Sequence, residues 1–139
     1  MEQGDVSGPE GGEDSQPVVL VVDDEPAIRA FVCEYLRENG FHTLGIGSAD
    51  RAIHLLEHGQ AADLVFSDVR MPGERDGYGL ARWIAENRPN IPVILTTGDI
   101  GKENAAALLC HTEMLGKPYE LDMAVARIRT TIERRKPVH

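Results

Sequence analysis

The sequence predicts an α/β fold, with a five-stranded parallel sheet and five helices covering its two faces. Three observations predict it. Short apolar runs alternate with helical repeats five times over, and strict alternation of this kind packs helices on both faces of a parallel sheet. The runs themselves are apolar throughout rather than apolar on one side, as strands buried on both faces must be. Residues able to do chemistry gather where the runs end, which is the ligand-binding edge of an open parallel sheet.

The elements follow in order. Residues 1–16 are rich in Gly, Glu, Asp and Ser and nearly free of apolar side chains, so they read as a disordered acidic leader. Val18-Val19-Leu20-Val21-Val22 is the first strand. Pro26 suits the first position of a helix, whose apolar stripe is Ile28, Phe31, Val32, Tyr35 and Leu36 and whose end is Gly40. Phe41 to Ile46 is a weaker second strand. Ser48 caps a helix that turns Ala52, Ile53 and Leu56 inward and stops at Gly59. Leu64-Val65-Phe66 is the third strand, ending at Ser67-Asp68, and a loop through Met71-Pro72-Gly73 follows. A helix carrying Leu80, Trp83 and Ile84 stops before Pro89. Ile91 to Thr96 is the fourth strand, Lys102 to Leu109 a short Ala-rich helix, and Glu113-Met114-Leu115 a weak fifth strand. The last helix places Leu121, Val125, Ile128 and Ile132 on one stripe, and the Arg and Lys residues at its end suit the negative end of the helix dipole. The folded domain is expected over residues 17–136, with a tail at 137–139.

Composition narrows the function. At 139 residues the chain suits one domain. A formal charge of -9 argues against nonspecific contact with nucleic acid, which needs a basic surface. Part of that charge (Glu2, Asp5, Glu10, Glu13 and Asp14) sits in the leader, which has no Lys or Arg. Cys33 and Cys110 are too few and too far apart for a disulfide framework, and Cys33 is expected in the core. Without a signal-peptide pattern or an apolar run long enough to span a bilayer, a cytoplasmic protein with no membrane partner is expected. His54 and His58, one turn apart, read as exposed helix residues rather than a metal pair.

The strand ends carry the chemistry. The first strand ends in Asp23-Asp24, the third in Asp68, the fourth in Thr96-Thr97-Gly98 and the fifth in Gly116-Lys117-Pro118. Three carboxylates at one sheet edge repel each other, and a hard divalent cation such as Mg2+ relieves that repulsion. Such an ion, together with an ammonium, can also neutralise phosphoryl oxygens during transfer.

These segments, Val21-Val22-Asp23-Asp24-Glu25, Ser67-Asp68-Val69-Arg70-Met71-Pro72-Gly73, Pro92-Val93-Ile94-Leu95-Thr96-Thr97-Gly98 and Lys117-Pro118-Tyr119, resemble the four signatures of response-regulator receiver domains. The resemblance covers residues 17–136. It implies a flavodoxin-like three-layer sandwich with strand order 2-1-3-4-5. It also implies that Asp68 accepts phosphoryl from a phosphohistidine on a histidine kinase or a histidine phosphotransfer protein. Asp24, Asp23 (directly or through water), Asp68 and the main-chain carbonyl of Arg70 would hold Mg2+. Lys117 would pair with Asp68 and then with the phosphoryl oxygens. Thr97 would be the switch hydroxyl, and Gly98 would leave room for the phosphoryl group.

Two further features stand out, a departure from the family's pattern and a pair of positions that the family lets vary. Met114 occupies the position, three before the lysine, where receivers usually carry an aromatic switch residue. Arg70 and Asp99 flank the expected mouth of the site, where a pair could act as a lid. No output domain is recognisable after the last helix, so a stand-alone receiver in a phosphorelay is expected, with slow self-dephosphorylation at most as its enzyme activity. It would act as a monomer or a weak dimer through the fourth helix, fifth strand and last helix. A docking module that never takes phosphoryl is the alternative, and the intact Asp23, Asp24, Asp68, Thr97 and Lys117 set speaks against it. A hydrolase of the haloacid-dehalogenase kind would need a second Asp where Arg70 stands.

Overall fold

The computed structural model describes residues 16–98 and 112–135. Among them are five strands and four helices: β1 (Val18–Val22), α1 (Pro26–Glu38), β2 (His42–Ile46), α2 (Ala49–Glu57), β3 (Leu64–Asp68), α3 (Gly77–Asn87), β4 (Val93–Thr97), β5 (Thr112–Gly116) and α4 (Leu121–Arg135). The helix expected over Lys102 to Leu109, Cys110, Asp99, the leader up to residue 15 and the tail lie outside the described residues.

All four strand pairings are parallel, and the order is β2-β1-β3-β4-β5. This is the 2-1-3-4-5 arrangement of the flavodoxin-like fold. The interior strand β1 shows why the runs lack alternation. Leu20 and Val22 enter a core beneath α2 and α3, while Val19 and Val21 enter a second core beneath α1 and α4. Each of these four side chains is at most 2% exposed, so both faces must be apolar.

The end signals act as their chemistry predicts. Pro26 opens α1, where the missing N–H costs no helical bond. The Ser48 hydroxyl accepts from the Arg51 amide at 3.1 Å and caps α2. Gly40 and Gly59, with φ of 97° and 94°, end the first two helices in a region that β-carbons disfavour. In α4, Val125, Ile128 and Ile132 are buried as the stripe requires, and Leu121 packs against the same core.

Two expectations need correction. On α1, Ile28 and Phe31 are 45% and 64% exposed, and Tyr35 is only partly buried. The helix instead turns Val32, Cys33 and Leu36 into the core, and the stem of Arg29 lies with Cys33 against β2. Gly45 makes room there: a β-carbon on it would stand 3.2 Å from Arg29 Cγ and 3.3 Å from Cys33 Sγ. The buried face is therefore rotated by about one residue from the apolar stripe. The second correction concerns the fourth strand, which begins at Val93 rather than Ile91. The Ile91 amide is used by the Arg88 carbonyl, and Pro92 has no N–H to offer a ladder.

Candidate functional site

β1, β3, β4 and β5 all deliver their last residues to one edge. Asp23 and Asp24 follow β1 directly, Asp68 closes β3, Thr97 closes β4, and Lys117 follows β5. The ladder sets their relative heights. Asp68 lies beside Thr96, so Thr97 stands one residue further out, and Gly116 beside Thr97 brings Lys117 to the rim. The Lys117 amide donates to the Thr97 carbonyl at 2.7 Å, which ties the hydroxyl-bearing residue to the lysine through the backbone.

The side chains converge as the strand ends predict. Asp23, Asp24 and Asp68 each offer a carboxylate oxygen, and these atoms all lie within 4.8 Å of one another. Lys117 Nζ donates to Asp68 Oδ1 at 3.0 Å. Asp68 is only 13% exposed, whereas Lys117 is 39% exposed. The Asp23 carboxyl is pushed above its ordinary value, first by burial and then by the charges of Asp68 and Asp24; the Glu25 amide and Lys117 pull the other way. Among the described residues, three carboxylates crowd together with the Lys117 ammonium on Asp68. A hard divalent cation with oxygen preference fits this donor set.

Asp23 is held by its backbone as well. Its amide donates to the Ile46 carbonyl at 3.0 Å, its carbonyl accepts from Arg29 Nη1 at 2.9 Å, and its Oδ1 accepts from the Glu25 amide at 2.9 Å. Arg29 belongs to the site's support, which sequence reading missed. The available signals were an arginine beside the apolar stripe and small residues facing it, Gly45 on β2 and Gly47 just after it. Tyr119 was quoted only within a motif. Its ring stands edge-on to Phe66 at 5.9 Å, and burial, then Asp23 and Asp68, raise its hydroxyl to about 12.

The remaining expected residues divide. Thr97 is buried at the rim. Arg70 is exposed, two residues beyond Asp68. Met114 is buried, packed in the core beneath α2 and α3. Gly98 is exposed, and a β-carbon there would meet nothing within 4 Å, so the protein itself does not demand glycine. Asp99 lies outside the described residues, and with it any pairing to Arg70. His54 on α2 and His58 at its C-cap are exposed with ring centroids 4.2 Å apart, and the described residues add no third ligand to them.

A groove of about 400 Å3 lies beside the acids, lined by Asp23, Ile28, Lys117, Pro118 and Tyr119. The exposed Ile28 thus stands at the lip of the polar site.

Comparisons agree with this geometry. The family model described as the response regulator receiver domain matches residues 19–129. The transcriptional regulatory protein AruR of Pseudomonas aeruginosa is 42% identical over 86 residues, covering 59% of this chain and 34% of its own length. The probable transcriptional regulatory protein TcrX of Mycobacterium tuberculosis is 32% identical over 124 residues, covering 87% of this chain and 52% of its own. The chain thus spans about half or less of the length of these curated relatives. Among solved structures, a response regulator receiver protein from Sinorhizobium medicae superposes with a TM-score of 0.80 at 26% identity, covering 87% of this chain and 98% of that one. The Francisella response regulator 1452 receiver domain gives 0.79 at 28% identity, covering 87% and 100%. With the parallel sheet, the acid cluster and the facing lysine already in place, the chain belongs to the response regulator receiver domain family of two-component signalling.

Proposed function

We propose that the chain is a phospho-acceptor switch in which Asp68 takes a phosphoryl group from a phosphohistidine on a histidine kinase or histidine phosphotransfer protein. The observation that carries this reading is the 3.0 Å contact of Lys117 Nζ with Asp68 Oδ1 beside two further carboxylates. In the transfer, a carboxylate oxygen of Asp68 forms a bond to phosphorus as the nitrogen–phosphorus bond breaks, and the electron pair and a proton end on the partner's imidazole. Asp23, Asp24, Asp68 and the Arg70 carbonyl would hold Mg2+, which supplies positive charge against the phosphoryl oxygens. Lys117 begins on Asp68 and turns its ammonium to those oxygens as the carboxylate becomes an acyl phosphate.

Thr97 is the residue that would sense the new group, by donating its hydroxyl to a phosphoryl oxygen. Its carbonyl already holds the Lys117 amide, so a shift of Thr97 is transmitted to the end of β5. Met114, one pleat away in β5, repacks as Thr97 moves, and its flexible side chain gives a softer preference between two states than a ring would. The exposed Ile28 beside the acid site, with the exposed Phe31 on the same helix, supplies a docking face for the donor partner.

The output is proposed as protein contact by a receiver acting on its own. The names of AruR and TcrX favour a second reading, in which the same switch governs transcription. Gel-shift titration of the full chain against promoter DNA separates the two. For the chemistry, intact-protein mass spectrometry after incubation with acetyl phosphate and Mg2+ should show one added phosphoryl group. An equal yield from Asp68→Asn, or in excess chelator, would sink the phospho-acceptor reading and leave a docking module.

A further inference from the structure

The chain leaves β3 at Asp68 and returns to it at the first residue of α3. The Gly77 amide donates to the Val69 carbonyl at 2.8 Å, and Gly77 is buried against the Asp68–Val69 peptide. A β-carbon on Gly77 would stand 2.4 Å from the Asp68 carbonyl oxygen, 2.8 Å from Val69 Cα and 3.1 Å from the Asp68 carbonyl carbon. All three are backbone atoms, so none can rotate out of the way. Other glycines near the site differ. Gly79 would meet only the flexible stem of Arg75, and Gly98 would meet nothing within 4 Å. Gly77 is also absent from the described glycines with positive φ, which are Gly40, Gly59 and Gly73. Its requirement is therefore for space, not for a left-handed backbone.

The peptide it presses on cannot retreat. On the far side the Val69 amide donates to the Thr96 carbonyl at 3.0 Å, which fixes the peptide to β4. The helix cannot easily lift either, because Leu80 and Ile84 are at most 1% exposed in the core and Asp76 caps the helix by accepting from the Gly79 amide at 3.0 Å. Any side chain at 77 must tilt the Asp68–Val69 peptide or unseat α3.

Resting on the phospho-acceptor reading of Asp68, the geometry points to Gly77 as a positioning residue: its missing side chain lets α3 seat on the Asp68–Val69 peptide and thereby aims the Asp68 carboxylate and the Arg70 carbonyl at the acid cluster. It touches no reacting atom. A displacement on the order of 1 Å at such a site lowers a transfer rate by about 10²-fold, and loss of an outer support weakens metal binding roughly tenfold or more.

The test uses the full chain and three variants. Gly77→Ala introduces the clash. Leu80→Ala leaves a cavity under the same helix and lowers stability, but puts no atom against the Asp68–Val69 peptide. Asp76→Gly loosens the start of α3 with no clash. Thermal stability, Mg2+ affinity by calorimetry, the acetyl phosphate labelling rate at saturating Mg2+, and the amide shifts of Asp68 and Val69 without metal are compared. Gly77→Ala should bind Mg2+ roughly tenfold more weakly, label about 10²-fold more slowly and shift both amides. Leu80→Ala, though less stable, should stay within about twofold of wild type in affinity and rate. Wild-type behaviour in folded Gly77→Ala, or equal losses in Leu80→Ala, would overturn the assignment. If Gly77→Ala does not fold, Asp76→Gly decides: a larger affinity loss than in Leu80→Ala supports it, and an equal or smaller one overturns it. Should wild type itself take neither Mg2+ nor phosphoryl, the phospho-acceptor reading falls, while the metal-free amide shifts still decide the Gly77 contact.

Discussion

The molecule holds carboxylates in two opposite ways. Glu113 on β5 is surrounded by donors: Arg127 Nε and Nη2 reach its Oε1 at 3.2 and 3.0 Å, the Thr131 hydroxyl reaches Oε2 at 2.9 Å, and Arg134 stands at 3.9 Å. At the carboxyl edge of the sheet, Asp23, Asp24 and Asp68 crowd within 4.8 Å and meet the single ammonium of Lys117. The first arrangement ties α4 to the edge strand and leaves no negative charge to attract a cation. In the second, burial first and then the neighbouring charges of Asp68 and Asp24 raise the Asp23 carboxyl. Crowded carboxylates of this kind are what the proposed cation site needs, and the contrast with Glu113 supports that reading.

The sharpest way to break this comparison is to remove the cation from each. Lys117→Ala should slow acetyl phosphate labelling at saturating Mg2+ by about 10²-fold, the scale of losing one donor to a developing anionic centre. Arg127→Ala should leave the labelling rate within about twofold of wild type. A mass-spectrometric time course reads both, and equal losses would erase the distinction between the sites.

Neutralising an acid in each place should then move stability in opposite directions. Asp23→Asn keeps the acceptor for the Glu25 amide and removes one like charge. Mg2+ binding should weaken roughly tenfold, about 1.4 kcal/mol, while the metal-free protein gains about 0.5 kcal/mol, a small figure because the group is partly exposed to screening solvent. Glu113→Gln should leave Mg2+ affinity alone and lose about 1 kcal/mol, the net worth of a hydrogen-bonded charge at a half-open position. Calorimetric titration and urea unfolding give the four numbers. A metal-free Asp23→Asn that is less stable than wild type would show that the acid cluster is not under strain.

What the sequence made legible follows from where each signal comes from. The strands of β1 and β3 are plain because both faces are buried, so every position had to be apolar. Asp23, Asp24, Asp68 and Lys117 were found because parallel topology sends strand ends to one edge, and ordering along the chain was enough to bring them together. The α1 face was misread because helical periodicity records which residues are apolar, not which are covered, and here Ile28 and Phe31 stay exposed. Arg29 and Gly77 were missed for another reason. Arg29 acts on a backbone carbonyl and Gly77 through the lack of a side chain, and neither role follows from apolar patterning or from the chemistry of the strand ends.

The smallest expected effect tests how far the acid cluster's field extends. Tyr119 is partly buried near Asp23 and Asp68, and its hydroxyl is pushed from 10.0 to about 12. A phenol raised in the folded state holds its proton where the unfolded chain has lost it. The resulting stability is therefore complete below about pH 10 and falls as pH rises through about 12. A titration at the phenolate absorbance should show one tyrosine ionising near pH 12, and Tyr119→Phe should remove that component. The same variant should lose less stability than wild type between about pH 10 and 12. Burial is the largest cause of the shift and the two carboxylates come after it, so Tyr119 should still titrate late in Asp23→Asn, with its midpoint moved down only slightly. A midpoint that drops to the ordinary phenol value in Asp23→Asn would mean that the cluster's charge, rather than the packing of the ring against Phe66, dominates this corner of the molecule.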